Sequence, residues 1–218
     1  MTARPIDDEQ GAGVVNVDRS HQILTGYRHS GKTSLETAPV IPASGFDYPR
    51  VTGGQTRWWR FTTPALEEFS VALTWPRLPS SSTFNGYTLM DLDLELVRIV
   101  DGEPQVITSS SGVFESGNVL STSQVDNVEL LSIRGLEAGE YAIRVIRMNS
   151  GTTAFAGLAW LMIEADGLPG DYDGNGAVNG SDLAQLLAAW ATINEEIDLD
   201  GDGLVGGADL TILLSNWT

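Results

Sequence analysis

The chain has no cysteine, so neither a disulfide nor a thiolate metal site is available to it. Its two histidines, His21 and His29, are too few for a histidine-rich zinc site. Basic residues are scarce: twelve Lys and Arg stand against twenty-nine Asp and Glu, for a formal net charge of −17. A surface of that sign repels nucleic acid and anionic membranes and attracts divalent cations. No apolar run reaches the length of a membrane-spanning helix, and MTARPIDDEQ lacks the apolar core of a signal peptide. The shortage of base is sharpest at the end. Residues 166–218 hold ten acids and no Lys or Arg, against nineteen acids and twelve bases before them.

What is present at that end is one unit written twice. DYDGNGAVNGSDLAQLLAAW begins at Asp171 and DLDGDGLVGGADLTILLSNW at Asp198, an offset of 27 residues (198 − 171 = 27). Oxygen-bearing side chains stand at loop positions 1, 3 and 5: Asp171, Asp173 and Asn175, then Asp198, Asp200 and Asp202. Gly176 and Gly203 occupy position 6, where such a loop turns sharply. Position 7 offers a backbone carbonyl, from Ala177 and Leu204. Position 9 is Asn179 in the first copy and Gly206 in the second, which leaves that place to water. Position 12 is Asp182 and Asp209. Calcium takes six to eight oxygens at roughly 2.3–2.6 Å, which alternate residues of a curled loop supply. The pattern is that of an EF-hand-type loop with Asp for the usual Glu at position 12. Two bound ions would bring four positive charges to a tail that otherwise repels itself.

Each loop runs into a short one-sided helix. Leu183, Leu186, Leu187 and Trp190 fall at i, i+3, i+4 and i+7, and Leu210, Leu213, Leu214 and Trp217 repeat the spacing. A stripe this short implies that the two helices pack together. Upstream, the Gly/Pro-rich ADGLPG opposes a helix before the first loop, so the unit is loop–helix. On these residues, 170–218 resembles a type I dockerin, the calcium-dependent module that plugs into cohesin domains. The resemblance implies two calcium ions and a cohesin-like or cell-surface partner. It also implies an exported, extracellular protein. At positions 10 and 11, where dockerins usually present hydroxyl or charged groups, this chain has Gly180-Ser181 and Gly207-Ala208.

Near the other end, Gly11-Ala12-Gly13-Val14-Val15-Asn16-Val17 and a short helical pattern resemble the close of a subtilisin-like peptidase domain. That resemblance implies that Met1 begins inside a longer gene product. The helix is predicted from Asp18 as N-cap, with Ile23 and Leu24 on its buried side. Gly26–Thr33 matches the G-x-x-x-x-G-K-T phosphate-loop pattern. The mechanism, however, needs a strand before it and a helix after it, and Pro39 and Pro42 leave room for little helix. A connecting loop is expected.

From Phe46 to Glu164 the pattern has period two. Gln55–Thr62, Phe69–Trp75, Asp91–Ile99, Asn127–Arg134, Glu140–Ile146 and Phe155–Ile163 read as strands between turn-rich stretches. This predicts a mainly β fold, an antiparallel β-sandwich, with Trp59, Phe61, Trp75, Tyr141 and Trp160 as the bulky core. The segments GQTRWWRF, SVALTW, DLDLELV, DNVE and AGEYAIRV resemble, in that order, the bacterial pre-peptidase C-terminal sandwich, which is similar to calcium-binding jelly rolls of secreted proteases. In DLDLE the alternation predicts Asp91, Asp93 and Glu95 on one face, about 7 Å apart, where a cation would relieve their repulsion. Asp126 and Glu129 of the DNVE turn approach the same edge in this reading. These five define a candidate third calcium site.

The expected organisation is an N-terminal segment at 1–37, the sandwich at 38–165, a linker at 166–169 and the calcium-binding module at 170–218. The expected role is non-catalytic: an accessory and attachment region of a secreted hydrolase, monomeric and without a membrane span. Two other classes stay open at this stage. One is a dockerin-bearing enzyme or carbohydrate-binding protein of polysaccharide degradation. The other is a tail that clamps its own sandwich through calcium.

Overall fold

A computed structural model describes residues 16–79, 86–149, 151, 153–165, 168–173 and 177–218. The chain divides into two compact units between Ala165 and Asp166. Among the described residues the first unit holds helix α1 (Val17–Thr25) and fourteen strands. These are β1 (Ser44–Asp47), β2 (Arg50–Val51), β3 (Thr56–Thr63), β4 (Leu66–Thr74), β5 (Leu78–Pro79), β6 (Tyr87–Thr88) and β7 (Leu92–Val100). After them come β8 (Glu103–Val106), β9 (Ser116–Asn118), β10 (Leu120–Ser121), β11 (Val128–Leu136), β12 (Gly139–Arg147), β13 (Ala154–Phe155) and β14 (Gly157–Glu164). The second unit holds α2 (Gly180–Ala188) and α3 (Gly207–Ser215).

Two larger antiparallel sheets form the first unit, with the two-stranded pairs β2-β13 and β5-β6 beside them. One has the order β1-β14-β4-β11-β9; the other has β10-β7-β12-β3, with β8 also on β7. Strands β4 and β11 alternate buried and wetter residues, which is what one face on a core and one face toward water produces. Between the sheets lie Trp59 and Phe61 of β3, Phe69, Val71 and Leu73 of β4, Tyr141 and Ile143 of β12, and Trp160 of β14. The Phe61 ring stands 5.1 Å from Phe69 and 5.7 Å from Tyr141, so one aromatic joins both layers. Each fully buried side chain of this size contributes about 1.5–3 kcal/mol. All five aromatics expected in the core are buried, and the six longest predicted strands are present. The last of them is broken at Ala156 into β13 and β14.

The second sheet carries a strap on its outer face. Residues 27–41 run along β1 and β3 through isolated bridges of Arg28 to Phe46, Lys32 to Trp58 and Val40 to Arg60. Leu35 of the strap and Trp58 cover Val97, Ile99 and Ala142. The adjacent Trp58 and Trp59 thus pack on opposite faces of β3, as a strand requires. The G-x-x-x-x-G-K-T segment is part of this strap and no helix follows it. Gly31 lets the strap approach the indole of Trp59, whose Nε1 donates to the His29 carbonyl at 2.9 Å; a Cβ at residue 31 would run into that ring.

Two details differ from the sequence reading. Helix α1 is capped by Asn16, which accepts from the Arg19 N–H at 3.0 Å, and not by Asp18. Of the two residues expected on its buried side, Ile23 is half-buried and Leu24 exposed; the helix is held to β4 by a two-pronged ion pair from Arg19 to Glu68, at 2.7 and 2.9 Å. The GAGVV turn before it lies outside the described residues. The second difference concerns β7. Alternation places the leucines of β7 in the core and the carboxylates on the other face, as expected, but that face is covered as well: six consecutive residues from Leu92 to Val97 are buried.

Candidate metal centre

The second unit is built on a four-residue core: Val178, Leu186, Val205 and Leu213, all fully buried. These are two pairs at the repeat offset of 27 (205 − 178 and 213 − 186), so the core has the same twofold character as the sequence. Leu183, Leu210, Tyr172, Ile197 and Leu199 pack around it. The remaining residues of the predicted stripes do not join it. Leu187, Trp190, Leu214 and Trp217 stay 42–53% exposed, because helices this short turn only one row inward.

The position-12 aspartates are the hubs of the loops. Asp182 Oδ1 accepts from the N–H groups of Tyr172 at 2.8 Å and Asp173 at 3.3 Å, and its Oδ2 from that of Asn179 at 2.9 Å. Asp209 repeats this one offset later, with Leu199 at 2.7 Å, Asp200 at 3.2 Å and Gly206 at 2.6 Å. Both carboxylates are fully buried. The N–H of Asn179 chiefly holds Asp182 below the usual carboxylate range. For Asp209 burial pulls upward, but the donors of Gly206, Asp200 and Leu199 outweigh it and leave its pKa lowered. Both are therefore ionised at neutral pH. The phenol of Tyr172 donates to the Ile197 carbonyl at 3.1 Å. It is pushed up to about 12 by burial and by the charges of Asp209 and Asp182.

Around each hub the other acids converge. In the first loop Asp171, Asp173 and Asp182 each offer an oxygen within 4.8 Å of the others; in the second, Asp198, Asp200 and Asp202 do so. Oxygens on opposite sides of an ion held at roughly 2.3–2.6 Å stand at most about 5 Å apart, so both sets fit a hard cation. The second loop is pre-curled by its own backbone. Asp198 accepts from the N–H groups of Gly201 and Gly203, Asp200 from that of Asp202, and Asp202 from that of Leu204, all between 2.7 and 3.0 Å. Gly203 takes φ +90°, the left-handed value that position 6 needs. On Asp200 the Asp202 N–H pulls the pKa down, but burial and the charges of Asp202 and Asp209 win and leave it raised. That is a site short of positive charge.

The structure redistributes some of the expected ligands. Asn175 lies outside the described residues. Asn179, expected at position 9, instead N-caps α2: its Oδ1 accepts from Ser181 N–H at 2.9 Å, and its Nδ2 donates to the Ala177 carbonyl at 3.2 Å. Asn and Asp are strongly preferred caps, so helix initiation claims this side chain. The second oxygen set contains positions 1, 3 and 5 but not Asp209, whose two oxygens face backbone donors. Leu204 is half exposed. The hub role of position 12 escaped the sequence reading, although the N-x-x-D spacing of Asn179 and Asp182 is a capping-box signal.

The five acids of the sandwich do not act as one group. Glu95 is engaged by Arg144, whose Nε donates to it at 2.8 Å. Glu129 accepts from the Ser121 hydroxyl and from Ser123 N–H at 2.6 Å. Asp126 accepts from the Ser123 hydroxyl at 3.1 Å and lies 3.9 Å from the Arg77 guanidinium. Burial pushes Glu129 up to about 7 against those two serine donors, and Asp93 and Asp126 add to the rise. Burial, then Asp91 and Glu95, push Asp93 up to about 6.

No family model matches the chain. Over 145 residues, 62% of its length, it is 24% identical to the serine protease/ABC transporter B family protein tagA of Dictyostelium discoideum, of which the match spans 8%. Among solved structures it is similar to the pre-peptidase C-terminal domain of a collagenase from Bacillus anthracis. That match has 11% identity over 56% of this chain and 93% of the other, with a TM-score of 0.37. It is also similar to PliG of Aeromonas hydrophila, a periplasmic inhibitor of g-type lysozyme, at 14% identity over 62% and 97% and a TM-score of 0.33.

Proposed function

We propose that residues 170–218 form a calcium-folded, dockerin-like attachment module, and that the sandwich before it is a non-catalytic companion domain of a secreted hydrolase. The observation that carries this reading is the duplicated carboxylate frame. Two loops 27 residues apart each gather three acidic oxygens within 4.8 Å, over hubs with matching backbone donors. All donors are oxygens, carboxylates above all, which favours a hard cation, and the flexible six-to-eight-fold demand of calcium suits a curled loop better than the strict octahedron of magnesium. The ion would neutralise the loops and tie them to the helices behind them. The residues themselves orient the oxygens through Asp182 and Asp209 and keep the loop backbone curled.

Attachment is supported by what the core leaves outside. Leu187 with Trp190, and Leu214 with Trp217, form two half-exposed apolar strips that would suit a cohesin-like module or a cell-surface component. A location outside the cell, where calcium is plentiful, goes with a tail that depends on calcium to fold. A peptidase as the associated hydrolase accords with the serine-protease name of the Dictyostelium relative.

Calorimetric titration of the chelator-stripped chain tests this, with far-ultraviolet circular dichroism following the helices. Two tightly held calcium ions and a gain of helix are expected. Asp171→Ala and Asp198→Ala should each remove one ion and weaken the other. A tail already helical in excess chelator, or no tightly held ion, would overturn the reading.

A further inference from the structure

Asp91 and Asp93 flank the start of β7, at the end of the sandwich where residues 121–126 cross over. With Thr122, Gln124 and Met148 they line a cleft of about 320 Å³. Asp93 is 9% exposed, and none of the side-chain hydrogen bonds among the described residues reaches its carboxylate. One oxygen of Asp91, Oδ1, is fully shielded from water and likewise has no donor. Buried polar oxygens are nearly always hydrogen-bonded, so a shielded, donorless oxygen of Asp91 next to the nearly buried carboxylate of Asp93 requires an explanation.

The neighbours do not supply one. Each nearby carboxylate has its own satisfaction: Arg144 for Glu95, Arg77 and Ser123 for Asp126, Ser121 and Ser123 for Glu129. Among the described residues no arginine, lysine or histidine pairs with Asp91 or Asp93. Gln124 and Thr122, which line the same cleft, are oxygen-bearing residues beside the two acids. An oxygen-only set that carries two negative charges and has room beside it matches one ligand class.

We infer that Asp91 and Asp93 hold a hard divalent cation of the calcium class at the edge of the sandwich, separate from the two tail loops and weaker than either. The cation supplies the charge that no side chain provides, and it ties the start of β7 to the crossing segment that bears Thr122 and Gln124. With two carboxylates, fewer than either tail loop offers, the site falls in the range of weak extracellular calcium sites, with Kd on the order of 10⁻⁴–10⁻³ M.

The test uses the full chain carrying Asp171→Asn and Asp198→Asn, which silences the tail loops. Equilibrium dialysis at millimolar calcium should still find one ion, and calcium should raise the melting temperature of the sandwich by about 2–4 °C. Adding Asp91→Asn and Asp93→Asn should abolish both effects. These are neutral, near-isosteric changes, and near-ultraviolet circular dichroism checks that the fold persists. Asp91→Lys gives an independent arm. A lysine there brings its own positive charge, so it should raise the calcium-free melting temperature while removing the calcium response. If the tail-silenced chain binds no ion, or if it keeps its ion when Asp91 and Asp93 are replaced, the inference is wrong. Loss of the tight ions alone, with the weak one retained, would instead count against the tail reading.

Discussion

Leu186 and Leu187 are adjacent leucines on α2 with opposite surroundings: the first is fully buried and the second 53% exposed. Truncating each to alanine removes the same atoms, so the difference isolates the tail core. A buried Leu→Ala change costs about 2–5 kcal/mol, whereas an exposed one lies within ~0.5 kcal/mol. Among the described residues Leu186 is one of four fully buried apolar side chains in the unit, and about 3 kcal/mol is a fair value for it. If the loops acquire their shape only as the helices pack, ion-binding free energy is folding free energy. The whole loss should then appear in calcium affinity. At 1.4 kcal/mol per tenfold, Leu186→Ala should lower the product of the two tight binding constants by about a hundredfold, and Leu187→Ala by about twofold at most.

A chelator-competition titration reads both constants, and the pair Leu213 and Leu214 on α3 repeats the comparison by symmetry, at 0% and 50% exposure. Equal effects at 186 and 187 would refute the reasoning, as would a Leu186→Ala protein that binds calcium normally. Either result would mean that the loops are formed without the core.

Two further outcomes concern the sandwich. Because the carboxyl of Glu129 is pushed up from 4.5 to about 7 in the fold, its stabilising protonation is complete below about pH 4.5 and is lost as pH rises through about 7. In chelator, the unfolding free energy from urea titration should therefore fall across that window by an amount on the order of 3 kcal/mol, and Glu129→Gln should flatten the slope; an unchanged slope would rule out Glu129 as its source. Gly31→Ala should destabilise the unit by about 1–3 kcal/mol by driving the strap off Trp59, seen as a lower melting temperature and a shifted tryptophan emission, and a neutral result would mean the strap adjusts freely.

The long strands and bulky core were legible because one sheet face is wet: β4 and β11 keep the two-residue alternation that marks them. The alternation of DLDLE was legible too, since Leu92 and Leu94 enter the core, but what covers its other face lies far away in the sequence: Arg144 on Glu95, and the segment with Thr122 and Gln124 beside Asp93. Strands of two to four residues, such as β2, β9 and β10, carry too few residues for any period. In the tail the convergence of the loop acids was legible since loop geometry sets it locally. The division of labour within the loop was not. Whether Asn179 ligates or caps, and whether Leu187 is core or surface, depends on which row of a nine-residue helix turns inward.

The duplication also has a mechanical reason. Thr218, just past α3, donates its N–H to the carbonyl of Val178 at 3.1 Å, and Val178 belongs to the first loop. In the other half, Ala191 N–H donates to Val205 O at 2.9 Å and Val205 N–H to Thr192 O at 3.0 Å; these partners follow α2, while Val205 belongs to the second loop. Each loop is thus braced by the chain that leaves the other repeat's helix, and the two valines meet in the shared core. A single 27-residue copy would have a loop without its brace and a leucine row without its counterpart. An ion in one loop would fix the helix behind it, and the end of that helix the backbone of the opposite loop. Removing one ion should therefore slacken the brace on the other, and these three hydrogen bonds are the expected route of coupling between the two sites.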